Sequence, residues 1–218
     1  RCVDLAEADP RLFAGVGIHP MDITASVDDS TWQVLHDLAH SPRVVAISEV
    51  GLDGIEGAPD NDLQEYVFRS QIQVARELSL PIIYHAREAY PRILDVLQEE
   101  SGWEVGGVAH YFQGDVRTAW RCVDLGFLIS MARPLLRLSE LQKVAREVPL
   151  EYIVLETDAY PQPFKRRRES WTEPRHLMEV AQSVADCKDI SVERVIEETG
   201  HNLIRVLGKR GDPVKALL

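Results

Sequence analysis

The stretch VVAISEV at 44–50 is an apolar run broken by one carboxylate, Glu49. A strand buried on both faces reads as such a run, and this is the signature of a parallel sheet covered by helices. An ionised carboxylate on it is costly unless it is paired or holds a cation, and no strand arginine offers itself as a partner. The pattern returns three times, in LPIIYH (80–85), VGGVAH (105–110) and YIVLET (152–157), which bring His85, His110 and, one residue past the last run, Asp158. Parallel strands of an α/β sheet deliver their carboxyl ends to a common rim, where such folds keep their active sites. These four residues are therefore expected to face one another, each at the downstream end of its own strand.

Along the rest of the chain, strand-like runs at Leu12–Ile18, Arg43–Val50, Leu80–His85, Val105–His110, Gly126–Met131 and Glu151–Glu156 alternate with segments of helical period. The segment 61–79 predicts a helix whose buried row is Leu63, Val67, Val74 and Leu78, with Gln71 as its polar member. Two helices close the chain, one with Leu177, Val180, Ala181 and Val184 on a face, the other capped by Ser191 ahead of Val192, Val195, Ile196 and Thr199. Strict alternation implies a parallel sheet, because parallel neighbours need crossover connections and helices supply them. The fold expected is α/β, a TIM (β/α)8-type barrel forming a single domain over 1–218. Six βα units fall short of eight, and Arg1–Ala6 reads as the last turns of a helix, so the first two units are expected to be absent from this sequence and to precede Arg1.

Composition narrows the function classes. At 218 residues and 45% hydrophobic content the chain can bury one sizeable core. No apolar run approaches the roughly 18 residues needed to cross a bilayer, so a soluble, cytoplasmic protein without a membrane partner is expected. Cys2, Cys122 and Cys187 are scattered and lack CxxC spacing, which argues against a disulfide framework or a thiolate zinc site and for reduced thiols. A net charge of −11 argues against holding nucleic acid by broad electrostatic attraction, but leaves room for an enzyme that touches a few phosphates through a metal.

Two histidines and two carboxylates are a donor set for Zn²⁺, Mn²⁺, Ni²⁺ or Mg²⁺. A metal so held activates water and polarises an ester or phosphoryl oxygen, which makes hydrolysis the implied reaction. Asp158 would bind metal and also accept the proton of the attacking water. Each residue has a plainer reading. A lone strand-end histidine is usually a satisfied core residue, Glu49 could sit in an internal ion pair, and Asp158 could cap the next helix; the prolines at 161 and 163 weigh against the last. His36, His40, His176 and His201 lie in helical segments away from strand ends and are read as structural.

The strings GIHP (17–20), SEVGLD (48–53), LPIIYHARE (80–88), VAHYFQGD (108–115), VLETDAYP (154–161) and EP (173–174), followed by SVERVIEETGHNLIRVLG (191–208), resemble in order and spacing the TatD-related metal-dependent deoxyribonucleases of the amidohydrolase superfamily. The resemblance covers nearly the whole chain. It implies a TIM barrel carrying one or two divalent metals and acting on phosphodiester bonds of DNA, often from a single-stranded 3′ end. By motif match it implies that Glu49 is the bridging metal carboxylate, that His85 and His110 are ligands, and that Asp158 is the aspartate after the last strand. Glu156 matches a glutamate that helps organise the metals, and is read with Asp158 as catalytic; His19 matches a histidine near the substrate pocket. The family's opening His-x-His pair is missing here. With the preceding strands two metals are expected; without them only the Glu49, His85, His110 site is. Thr172 stands where the family has asparagine, and Pro161 falls one place late.

The run Lys165-Arg166-Arg167-Arg168 follows the last strand in a proline-marked loop, and Arg168, which matches a family arginine, is expected to bind substrate phosphate. Two other functions fit the residues: a hydrolase of the same superfamily acting on a small ester, amide or phosphate, since fold and metal site do not fix substrate, and a non-catalytic barrel used for binding.

Overall fold

The computed structural model describes residues 1–24, 27–160 and 171–217. The chain runs α1 (Cys2–Ala8), β1 (Ala14–Val16), α2 (Asp29–Ala39), β2 (Val44–Asp53), α3 (Asn61–Leu78), β3 (Ile82–Arg87), α4 (Tyr90–Glu99), β4 (Gly107–Ala109), α5 (Val116–Asp124), β5 (Phe127–Met131), α6 (Ser139–Glu147), β6 (Ile153–Leu155), α7 (Leu177–Lys188), α8 (Val192–Leu207) and α9 (Asp212–Lys215). The strands form one parallel sheet in sequence order, and β1 and β6 are its two edges among the described residues. This is the expected α/β barrel sheet with six strands.

The main core lies between the sheet and its helices. It is filled by Val44, Ile47, Ile82, Tyr84, Phe127 and Ile129 from the strands and by Phe68, Ile72, Leu94 and Val144 from the helices, all buried. A smaller cluster of Val108, Leu128 and Val154 occupies the other face. There Asn202 of α8 donates to the carbonyls of Leu150 and Ile153 at 2.8 and 2.9 Å, tying the last long helix to the entry of β6.

Local chemistry sets the element limits. Asp60 caps α3 by accepting from the Leu63 amide at 3.0 Å, and Ser79 ends it in the left-handed region at φ 51°. Its buried face differs from the expected row: Gln64, Val67, Phe68, Gln71, Ile72 and Ala75 are buried, whereas Leu63, Val74 and Leu78 are only partly covered. The two glutamines turn the face, because each clamps a strand end. Gln71 accepts from the Ile18 amide at 2.6 Å and donates to the Ile18 carbonyl at 3.1 Å; Gln64 does the same for Asp53 at 2.8 and 3.1 Å. Capture of Ile18 takes it out of the ladder, so β1 stops at Val16 short of the expected Ile18. Ser191 caps α8 as expected, accepting from the Arg194 amide at 3.2 Å, but Ile196 lies outside the buried face.

Candidate metal centre

Glu49 does not end its strand: β2 continues to Asp53. The ladder to β3 pairs Ser48 with Ile83 and Val50 with Tyr84, two steps on β2 against one on β3, so Glu49 is the extra residue of a bulge. A bulge frees one residue from the alternation of the strand and re-aims it, which turns this carboxylate out of the core. Just beyond it the strands approach so closely that a Cβ on Gly51, at φ 137°, would lie 2.2 Å from the His85 carbonyl oxygen; only glycine fits. His85 lies within β3, His110 directly follows β4, and Asp158 lies three residues past β6. The backbone leaves β3, β4 and β6 through Glu88, Tyr111 and Asp158, each with φ between 45° and 55°. Non-glycine residues adopt that region at a cost and are found where surrounding structure over-determines them. At Tyr111 the constraint is visible, because its amide donates to Glu156 Oε1 at 2.5 Å.

The expected residues do converge, in one cleft of about 440 Å³ at the carboxyl rim, yet they divide into two groups rather than one three-ligand site. Glu49, His110 and Asp158 have donor atoms within 4.8 Å of one another; so do His19, Glu49 and His85, with Glu49 common to both.

His110 is held at both nitrogens, with Nε2 2.5 Å from Glu49 Oε1 and Nδ1 2.6 Å from Glu156 Oε2. Burial pulls its pKa down, but the two carboxylates outweigh burial and push it up to about 10. At Glu49 burial acts upward, and the hydrogen bond and charge of His110, with the charges of His19 and His85, bring the net shift below the ordinary carboxylate value. Burial, together with the charges of Glu49 and Glu156 against that of His110, raises Asp158, so this carboxyl is a better proton acceptor than an exposed aspartate. Glu156 gives both oxygens to His110 and the Tyr111 amide, which places it behind the His110 ring, where it orients the imidazole.

His85 is oriented from one side only, by Asp53, whose Oδ2 lies 2.8 Å from Nε2 and whose Oδ1 accepts from the Ile55 amide at 3.1 Å. Asp53 is 2% exposed. Sequence reasoning passes over it, although the signal is the one that singles out Glu49, a carboxylate following an apolar stretch of the same strand. His19 Nδ1 accepts from the Met21 amide at 3.1 Å, while Nε2 lies 3.6 Å from Glu49 Oε2. A neutral imidazole with one accepting nitrogen carries its proton on the other, so His19 presents an N–H to the cleft. Burial first, then the charge of His85, lowers its pKa and keeps it neutral. A donor facing the cleft is suited to substrate rather than to metal.

The remaining wall carries cations. Arg87 and Arg137 line the cleft, and neither guanidinium has a carboxylate partner among the described residues. Arg168, expected to contact phosphate, lies outside the described residues. The donor set fits a divalent ion: oxygen and imidazole ligands of mixed hardness converge, and the histidines have carboxylates behind them.

Fold and centre together define a parallel α/β barrel protein with a histidine–carboxylate site of the kind that binds divalent metal. A profile described as TatD related DNase matches residues 1–208, and the chain belongs to that family. It is 32% identical over 212 residues to the uncharacterized metal-dependent hydrolase YabD of Bacillus subtilis, covering 94% of this chain and 81% of that protein. It is 35% identical over 210 residues to the 3′-5′ ssDNA/RNA exonuclease TatD of a Pantoea species, covering 91% and 79%. The crystal structure of YjjV, a TatD homologue from Escherichia coli, superposes with a TM-score of 0.86 at 25% identity, over 94% of this chain and 80% of that one.

Proposed function

We propose that the protein is a divalent-metal-dependent hydrolase of phosphodiester bonds in single-stranded nucleic acid, DNA foremost. The observation that carries this reading is the convergence of Glu49, His110, Asp158 and His85 in one cleft whose wall also bears Arg87 and Arg137, neither with a carboxylate partner among the described residues. Carboxylates and imidazoles serve a cation, and guanidinium groups serve phosphate oxygens; a site with both suits a metal-bound phosphate ester. Glu49, His85, His110 and Asp158 would hold one or two ions of Zn, Mg, Mn or Ni, which would supply Lewis-acid polarisation of a phosphoryl oxygen and a lowered pKa for water.

The chain's own residues supply the rest. Asp158 takes the proton of the attacking water. His19 donates from Nε2 to a phosphate oxygen. Glu156 and Asp53 hold the two histidine ligands in their productive tautomers. With a net charge of −11 the surface at large repels nucleic acid, so affinity must come from the cleft and the arginines beside it. Among the described residues no helix is long and apolar enough to cross a membrane, and the free cysteines suit the reducing cytoplasm.

The test is hydrolysis of an end-labelled single-stranded oligonucleotide with added Mg²⁺ or Mn²⁺, run beside a panel of small esters, amides and phosphates. Metal-dependent shortening of the oligonucleotide is expected. Activity on a small ester with none on DNA would keep the metal chemistry and replace the substrate; no activity on any of them, in a protein that takes up no metal, would leave a binding barrel.

A further inference from the structure

Beside the metal cleft lies a second depression of about 360 Å³, lined by Tyr111, Arg133, Pro134, Leu136, Arg137 and Thr172. The two share Tyr111, Pro134 and Arg137 as a common wall. β5 builds this wall: it leaves the rim without a histidine or carboxylate and turns at once through a short 3-10 helix, Arg133–Leu136, that sets both arginines at the rim. The two arginines differ in commitment. Arg133 is paired with Glu179 at 3.2 Å, whereas Arg137 is exposed and has no carboxylate partner among the described residues. Tyr111, Pro134 and Leu136 offer a ring and two apolar side chains, and Leu136 is 41% exposed. The Tyr111 backbone lies in the left-handed region, where its amide donates to Glu156 Oε1.

An anion site opening, across a shared arginine, into a recess that sets one aromatic ring and two apolar side chains beside polar ones matches a nucleotide, which joins a phosphate to a planar base that has both a flat face and polar edges. Guanidinium planes both bind phosphate and stack on bases. We infer that this second depression seats the nucleobase attached to the phosphate under attack, with Arg137 bridging base and phosphate and Tyr111 forming the stacking face. The inference rests on the phosphodiesterase reading and adds to it a requirement for a base next to the reacting phosphate.

The experiment measures binding apart from hydrolysis. Titration of the protein, with Mg²⁺ present, by dAMP and by 2-deoxyribose 5-phosphate compares a ligand with a base to one without; both are phosphomonoesters and so resemble products rather than substrates. Wild type is expected to bind dAMP roughly tenfold more tightly, the scale of one stacked base. Arg137→Ala, at an exposed position where folding is not at stake, is expected to abolish most of that preference, and Leu136→Ser to reduce it. Equal binding of the two ligands by wild type, or an undiminished preference in Arg137→Ala, overturns the inference. Oligonucleotide hydrolysis with equal binding leaves the phosphodiesterase reading intact and removes the base site; base-dependent, Arg137-dependent binding without hydrolysis of any nucleic acid does the reverse.

Discussion

His85 and His110 stand on neighbouring strands and face one cleft, yet they are held in opposite ways. His110 has a carboxylate on each nitrogen, Glu49 in front and Glu156 behind. His85 has one, the buried Asp53, and its neighbour in the cleft is another histidine ring, His19, with centroids 4.6 Å apart. One half of the rim therefore concentrates negative charge around a single imidazole, and the other sets two imidazoles side by side with Glu49 between the halves. The centre is asymmetric as a result: on the proposed function the His110 half would hold a cation firmly, and the other half would supply one ligand, His85, and one donor, His19.

The severest test of this division is Glu49→Gln, because Glu49 alone belongs to both groups. Removing its charge should cost both halves at once, lowering metal content and reducing oligonucleotide turnover by roughly a thousandfold, the effect of losing several kcal/mol of electrostatic stabilisation. Metal content by elemental analysis, beside turnover, checks it; a variant that keeps full metal and normal turnover would dissolve the idea of a shared bridge. Asp158→Asn should come next, and it should differ in kind. Glu49 and the histidines remain to hold metal, but an amide cannot accept a proton, so turnover should fall about 10²- to 10⁴-fold with most of the metal retained. Near-normal turnover would remove Asp158 from the proton step.

The residues behind the histidines give a finer comparison. In Glu156→Gln the amide oxygen still accepts from the Tyr111 amide, but the amide nitrogen then faces His110 Nδ1, forcing the proton onto Nε2, where a metal ligand cannot carry one. Asp53→Asn keeps the bond from the Ile55 amide and reverses the His85 tautomer by the same logic. Each should weaken metal affinity about 10- to 100-fold. Glu156→Gln is expected to be the more damaging, since His110 sits in the half with the greater carboxylate density. Metal titration of both variants, with circular dichroism to confirm folding, decides it; equal and negligible effects would mean that neither histidine is oriented from behind.

How much of this is legible in the sequence follows from which forces act locally. Strands buried on both faces must be apolar along their length, so all six can be located, and helix 61–79 is marked by its period. The direction in which Glu49 points is not legible, because a bulge is a property of the register between two strands, and the register appears only when β3 is alongside. The row of α3 is misplaced for a related reason: Gln64 and Gln71 are buried to satisfy the backbone of Asp53 and Ile18, partners 11 and 53 residues distant. Arg137 gives no signal at all. It lies in a turn without a motif, and only the geometry of the rim sets it beside the metal cleft.

The mildest loss is expected at His19, and it bears on whether the second group is a metal site at all. His19, Glu49 and His85 are close enough to hold an ion, but the Met21 amide fixes the His19 tautomer with Nε2 protonated, and an N–H repels a cation. His19→Ala should therefore leave the number of bound metal ions unchanged. It should raise the Michaelis constant for an oligonucleotide by about tenfold, the loss of one charge-assisted hydrogen bond to a phosphate oxygen. A glutamine side chain restores an N–H at nearly the same reach, so His19→Gln should recover most of the lost affinity, a rescue that a ligand role would not allow because an amide is a poor substitute for imidazole on zinc or manganese. Metal stoichiometry and Michaelis constants for both variants separate the two roles. A drop in bound metal for His19→Ala would make His19 a ligand and the centre more symmetric than its hydrogen bonds imply.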